Sequence, residues 1–164
     1  EGAPPAVGLD AQLLLDSAVD HLRELVLVER KPQVVDPRQV PLPGLHDDER
    51  LRFAPCRPGA PLVTNRYGIP EPDVAEDALL AADAMDLVVV PLVAFDAHGH
   101  RLGMGAGWYD RSFAFRNARA APPWLVGAAF ATQQVDSLSP ESWDVALDAV
   151  CTEHDAFLTA AAPA

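Results

Sequence analysis

The stretch Val88-Val-Val-Pro-Leu-Val-Ala-Phe-Asp96, followed by Arg101-Leu-Gly-Met-Gly-Ala-Gly-Trp-Tyr-Asp-Arg111, decides how the rest of the chain is read. Leu87 to Phe95 is an apolar run broken only by Pro91, the pattern of a strand buried on both faces. Gly103, Gly105 and Gly107 then stand at every second position, where the backbone can adopt conformations closed to other residues and turn its N–H groups toward an anion. A helix starting near Trp108 would add the positive end of its dipole. Strand, glycine loop and helix together form the layout of a phosphate-cradling site. Glycine spacing by itself describes a non-binding surface loop equally well.

Working outward, 164 residues make one domain with a real core, and 49% hydrophobic with 22% charged residues is ordinary globular usage. No apolar run is long enough to span a bilayer, and Glu1-Gly-Ala-Pro-Pro lacks the basic flank and apolar centre of a signal peptide. A net charge of −12 argues against nucleic acid as a partner, because a polyanion is repelled from such a surface. A nucleotide can still bind locally. Lys31 is the one lysine, so phosphate contacts elsewhere must come from arginine, backbone N–H groups or a metal ion. Cys56 and Cys151 are too few for a disulfide framework or a zinc site, and fit free thiols in a reduced, cytoplasmic setting.

The periodicity over Leu9 to Val28 predicts an amphipathic helix, with Leu14, Ala18, Leu22, Leu25 and Val26 on its apolar face. Pro32 and Pro37 end it. Short strands are expected at Val40 to Pro43 and at Arg50 to Ala54, a proline-rich loop from Pro58 to Pro72, and a short irregular helix from Asp73 to Ala84. After the glycine loop, Tyr109 to Arg119 reads as a helix ended by Pro122 and Pro123, and Trp124 to Phe130 as another buried strand. Thr159 to Ala164 reads as a frayed end. Alternating strand-like and helical runs predict an α/β domain: a doubly wound, largely parallel sheet with helices on both faces, with ligands beyond the carboxyl ends of its strands.

Three blocks in this order resemble the 5-formyltetrahydrofolate cyclo-ligase family. The first is the glycine block, matching at Pro91, Ala94, Phe95, Asp96, Gly99, Arg101, Leu102, Gly103, Gly105, Gly107, Tyr109, Asp110 and Arg111. Trp108 stands where Tyr or Phe is usual, and Ala106 where Gly or Lys is usual. The second is Gly68-Ile-Pro-Glu-Pro72. The third is a Gln133-Gln134 turn after Val126-Gly-Ala-Ala-Phe130, followed by Pro140, Asp144-Val145, Asp148 and Val150-Cys-Thr-Glu153. The resemblance covers about Val40 to Glu153 and also implies the doubly wound fold.

It further implies a reaction in which ATP phosphorylates the formyl oxygen of 5-formyltetrahydrofolate and N10 attacks the activated carbon, giving 5,10-methenyltetrahydrofolate. Such a protein has to hold the γ-phosphate in line, neutralise charge and exclude water. By resemblance, Arg101, Leu102, Gly103, Met104, Gly105, Ala106, Gly107, Trp108 and Tyr109 bind ATP, and Met104 to Trp108 also face the folate. Trp108 and Tyr109 offer flat surfaces for a ring, or pack in the core. Asp110 and Asp144 would hold Mg²⁺, which prefers oxygen ligands. Arg101 and Arg111 are candidates for phosphate, with a surface role open for Arg111. No residue is assigned as a catalytic acid or base. His98 and His100 read as solvated turn residues, and Asp47-Asp-Glu49 as a solvated turn.

The family's N-terminal basic helix has no counterpart before Leu9, and Gly8-Leu-Asp-Ala11 is a poor remnant of its acidic folate-contacting element. Two readings follow: a trimmed chain, favoured by a start at Glu1 without Met, or a degenerate, non-catalytic relative that keeps nucleotide or folate binding. Either predicts weak or absent turnover. A dinucleotide-binding oxidoreductase is disfavoured because the loop lacks the Gly-x-G-x-x-Gly spacing and follows no early strand. An acidic interaction domain has only net charge in its favour. A monomer acting on a small folate, without nucleic acid or membrane, is expected.

Overall fold

In the computed structural model of the chain, residues 40–46 and 48–159 are described. The helix expected over Leu9 to Val28, the connection at Pro32 and Pro37, and Asp47 lie outside them.

The sheet that carries the glycine loop has four strands: β5 (Leu87–Pro91), β8 (Trp124–Ala128), β9 (Ala149–Cys151) and β10 (Ala156–Leu158), in the order β10-β9-β8-β5. β5 runs parallel to β8, with Leu87 opposite Trp124, and β8 parallel to β9, with Val126 opposite Ala149. β10 returns antiparallel along β9. This sheet has three parallel strands and one antiparallel edge, and the three other sheets among the described residues are two-stranded antiparallel pairs. Among the described residues the fold is mixed α/β and β-rich, with one α-helix, α1 (Trp108–Phe113), and several single 3₁₀ turns.

Burial separates the strands in a way the apolar pattern did not. In β8, Leu125, Val126 and Gly127 are all buried, and so is every residue of β9, as expected for interior strands covered on both faces. In β5 burial alternates: Val88 and Val90 point into the core while Val89 is 37% exposed. β5 lies at the edge of this sheet among the described residues, so its apolar run is longer than its buried face. The run expected to be one strand to Phe95 breaks at Leu92 and Val93, and resumes as β6 (Ala94–Phe95), which pairs with β7 (Arg101–Leu102) in a hairpin.

A second layer begins with the hairpin of β1 (Val40–Leu45) and β2 (Leu51–Cys56), at the two places expected for strands. Pro41 and Pro43 cannot donate to a ladder, which suits β1 to pairing on one side only. β2 supplies Leu51, Phe53 and Ala54 to the core, and the Phe53 ring meets Phe113 of α1 edge-on at 6.1 Å. Ser112 ties the two elements: its hydroxyl accepts from Leu51 N–H at 2.8 Å and donates to the Trp108 carbonyl at 2.6 Å.

Three expectations are corrected. The stretch from Pro58 to Pro72 is not all loop, because β3 (Leu62–Thr64) and β4 (Pro70–Pro72) form a hairpin. Asn65 closes its turn by accepting from the N–H groups of Tyr67 and Ile69, a side-chain turn the composition rule does not distinguish from loop. The Asp73 to Ala84 helix is two 3₁₀ turns, Glu76–Ala78 and Ala82–Ala84. The helix expected to run to Arg119 ends as α-helix at Phe113 and continues as a 3₁₀ turn, Ala114–Asn117.

Candidate nucleotide site

The glycine loop starts where the chain leaves the sheet. Val93 N–H donates to the Leu102 carbonyl at 2.8 Å, so Gly103 follows directly on the carboxyl end of β5. Gly105 (φ 83) and Gly107 (φ 65) occupy the left-handed region that side chains avoid, whereas Gly103 does not. A Cβ at Gly105 would meet nothing within 4 Å, so that glycine is required by conformation and not by crowding from the protein. The loop is open to solvent from Leu102 to Ala106, with Met104 95% exposed. Gly107 caps α1, its carbonyl accepting from Arg111 N–H at 3.0 Å. Six residues make a weak macrodipole, so backbone N–H groups are what the loop chiefly offers an anion.

At the base of the loop lies a half-buried polar knot. The Arg101 side chain, 7% exposed, donates to Asp110 Oδ1 at 2.5 Å and to the Val145 carbonyl. Asp110 Oδ1 also accepts from Val145 N–H at 3.1 Å. Residues from three separate parts of the sequence thus meet at one carboxylate, and Asp144 precedes Val145 in the chain. Asp144 Oδ2 accepts from Glu141 N–H at 2.8 Å. Among the described residues the Oδ2 of Asp110 and the Oδ1 of Asp144 have no hydrogen-bond partner. No group of three or more His, Cys, Asp or Glu side chains that could hold a metal occurs among the described residues. Asp110 and Asp144 are oxygen donors of the kind Mg²⁺ prefers, and by themselves they do not make an all-protein cage.

The family model for the 5-formyltetrahydrofolate cyclo-ligase family matches residues 16–153. The chain belongs to that family. It is 40% identical over 112 residues to the 5-formyltetrahydrofolate cyclo-ligase of Haemophilus influenzae, covering 67% of this chain and 59% of that protein. With its counterpart in Escherichia coli K12 it shares 40% over 117 residues, covering 70% and 63%. The solution structure of Aquifex aeolicus 5,10-methenyltetrahydrofolate synthetase superposes with a TM-score of 0.62 at 28% identity, covering 81% of this chain and 64% of that one. The chain spans less than two thirds of the length of each of these relatives.

Within this cyclo-ligase frame, the residues singled out from the sequence fall into two groups. Leu102 to Ala106 form the open tip; Arg101, Tyr109 and Asp110 lie in or beside its base. Arg101 has protein partners in Asp110 and the Val145 carbonyl. Arg111 is the more exposed arginine, yet it also has partners: it donates to the carbonyls of Ala106 at 2.9 Å and Glu49 at 3.1 Å, and lies 5.3 Å from the centroid of the Trp108 ring. That arrangement ties the loop to the β1–β2 turn. Tyr109 stacks on Phe113 at 6.4 Å, and burial pushes its hydroxyl up to about 12 against the lowering pull of Arg101. Its ring is therefore shared with the core.

Sequence reasoning treated His100 as solvated and gave Asp96 no role; the structure makes them partners. Asp96 is fully buried and accepts from the N–H groups of His98, His100 and Leu138 at 2.9, 3.0 and 3.0 Å and from the His100 ring at 2.9 Å. Burial alone would raise its pKa, but the hydrogen bonds, led by Leu138, outweigh it and hold the carboxyl below the usual carboxylate range. His98 stays exposed, as expected. The signal was present in Asp96-x-x-Gly99, the spacing of a side-chain-closed turn. Gly99 is indispensable there, because at φ 86 a Cβ would come within 2.5 Å of the Leu147 carbonyl. Asp148, matched only as an acidic position, is likewise structural, accepting from Arg116 at 2.6 Å and from Leu125 N–H at 2.7 Å.

Proposed function

We propose that the chain supplies the nucleotide and magnesium side of the ATP-driven cyclisation of 5-formyltetrahydrofolate to 5,10-methenyltetrahydrofolate, in the single, doubly wound cyclo-ligase domain expected for the family. The observation that carries this reading is the exposed glycine loop mounted on the Arg101–Asp110–Val145 knot, with Asp144 adjacent. Bound Mg²⁺ would neutralise the charge that develops as the phosphoryl group moves from ATP to the formyl oxygen. The chain's own part is to hold and orient. Gly103 to Gly107 offer N–H groups to the phosphates, Asp110 and Asp144 hold the cation through their open oxygens, and Arg101 fixes Asp110. Met104 to Trp108, running from the loop tip into the first residue of α1, face the folate. A monomer acting on a small folate, cytoplasmic and without nucleic acid, completes the reading; among the described residues no helix is long and apolar enough to cross a membrane.

A second reading, a relative that binds nucleotide without turning it over, is favoured by one observation: the two arginines flanking the loop already carry protein partners. Each charge-assisted contact missing from the phosphates is worth roughly 1.5–3 kcal/mol, or about ten-fold or more in affinity. Measuring methenyl-product absorbance alongside calorimetric ATP·Mg binding separates the two. Product formation supports the cyclo-ligase; binding without product supports the second reading; neither defeats both. Asp110→Asn and Asp144→Asn should each weaken Mg²⁺-dependent binding, and the double variant should add little.

A further inference from the structure

The two residues at which the chain leaves the sheet, Leu92 and Val93, lie in neither β5 nor β6, so the strand ladders do not fix their carbonyls. One side chain takes both. The Gln133 amide nitrogen donates to the Leu92 carbonyl at 3.1 Å and to the Val93 carbonyl at 3.0 Å, while its Oε1 accepts from Phe130 N–H at 2.7 Å. Its amide nitrogen and its amide oxygen are both used, and a residue that only donates or only accepts could not replace it.

The segment that carries Gln133 is itself pinned. It is the 3₁₀ turn Ala131–Gln133, held by Glu153 Oε2, which accepts from Ala131 N–H at 2.8 Å, and by Val135 N–H, which donates to the Phe95 carbonyl at 2.8 Å. On its other side Val93 donates to Leu102. Gln133 thus holds the carbonyls of both peptide groups flanking Val93, and the N–H of the first of them is held by Leu102, the residue before the glycine loop.

We propose that Gln133 is a positioning residue for the glycine loop, setting through Leu92 and Val93 the place from which Gly103 to Gly107 present their N–H groups. As a claim about nucleotide binding this rests on the reading of that loop given above. The Val93 contact is solvent-exposed, so water can replace the lost hydrogen bond there, and the consequence of losing Gln133 falls on geometry more than on stability.

Gln133→Glu keeps the acceptor for Phe130 and removes the donor. In the full chain it should weaken ATP·Mg binding about ten-fold or more at neutral pH. The affinity should recover relative to wild type as pH falls and the introduced carboxyl regains a proton to donate. The amide chemical shifts of Gly103, Gly105 and Gly107 should move as well. Thr152→Val is the control: it removes hydrogen bonds to His154 and Asp155 in the β9–β10 turn, and should lower stability while leaving the glycine shifts and ATP affinity in place. If Gln133→Glu does not fold, Gln133→Met, of similar size but without donors, is read by the same two measurements at one pH. A folded Gln133 variant with wild-type glycine shifts overturns the proposal, as does Thr152→Val shifting them equally. Should wild type fail to bind ATP, the nucleotide reading falls, and the glycine shifts still decide whether Gln133 positions the loop.

Discussion

From Leu102 to Ala106 every residue is exposed, and Gly105 has no protein atom within 4 Å of where a Cβ would sit. Around it, Arg101, Asp96 in the β6–β7 turn and Gln133 beside Leu92 and Val93 spend their polar atoms on named partners, from segments as far apart in sequence as Val145 and Leu92. The loop is held at its two ends, Leu102 by Val93 and Ala106 by Arg111, while the residues around it are held at almost every polar atom. The difference teaches how this chain reconciles an accessible phosphate loop with a defined geometry: order is supplied from below, by satisfied polar groups, and the tip is left free for a ligand.

That contrast predicts large effects on stability at the base and very small ones at the tip. Phe113 is fully buried where β2, Tyr109 and Phe115 meet, so Phe113→Ala should cost about 3–5 kcal/mol, read from the denaturant midpoint. Arg101→Leu should cost about 3 kcal/mol by leaving Asp110 charged and unpaired; a loss under about 1 kcal/mol would mean that the knot is a surface pair. Asp96 gives a pH signature. Its carboxyl is held below the unfolded value of about 3.9, so its contribution is fully present above that pH and is lost as pH falls through the folded value. Asp96→Asn should therefore flatten the acid limb of the stability curve below about pH 4; an unchanged limb would remove Asp96 from the base. At the tip, Met104→Ala should stay within about 0.5 kcal/mol of wild type.

The sequence made the loop and its supporting strands readable because glycine alternation and apolar runs are local patterns. Gly105 and Gly107 take the positive φ that the spacing implied, and β8 is buried on both faces. What it did not reveal is the base. Arg101 reads from the sequence only as a phosphate candidate, because its protein partners, Val145 and Asp110, become visible only when folding brings them to it. Gln133 was noticed only as part of a turn, since its targets are carbonyls forty residues away and carry no side-chain signature. The β3–β4 hairpin was hidden by Pro58, Pro61, Pro70 and Pro72, whose composition reads as loop although two of them sit in a three-residue strand.

Calorimetric titration of ATP·Mg into wild type and Gly105→Val is the most direct test of the loop as the phosphate site. A Cβ at Gly105 would meet no protein atom within 4 Å, so the variant should keep the wild-type fold by circular dichroism, at a stability cost of about 1–3 kcal/mol from placing a β-branched residue at positive φ. Wild type should bind and the folded variant should not, because the new side chain occupies the space where phosphate oxygens meet the backbone N–H groups. Equal affinity in a folded Gly105→Val protein would contradict the account.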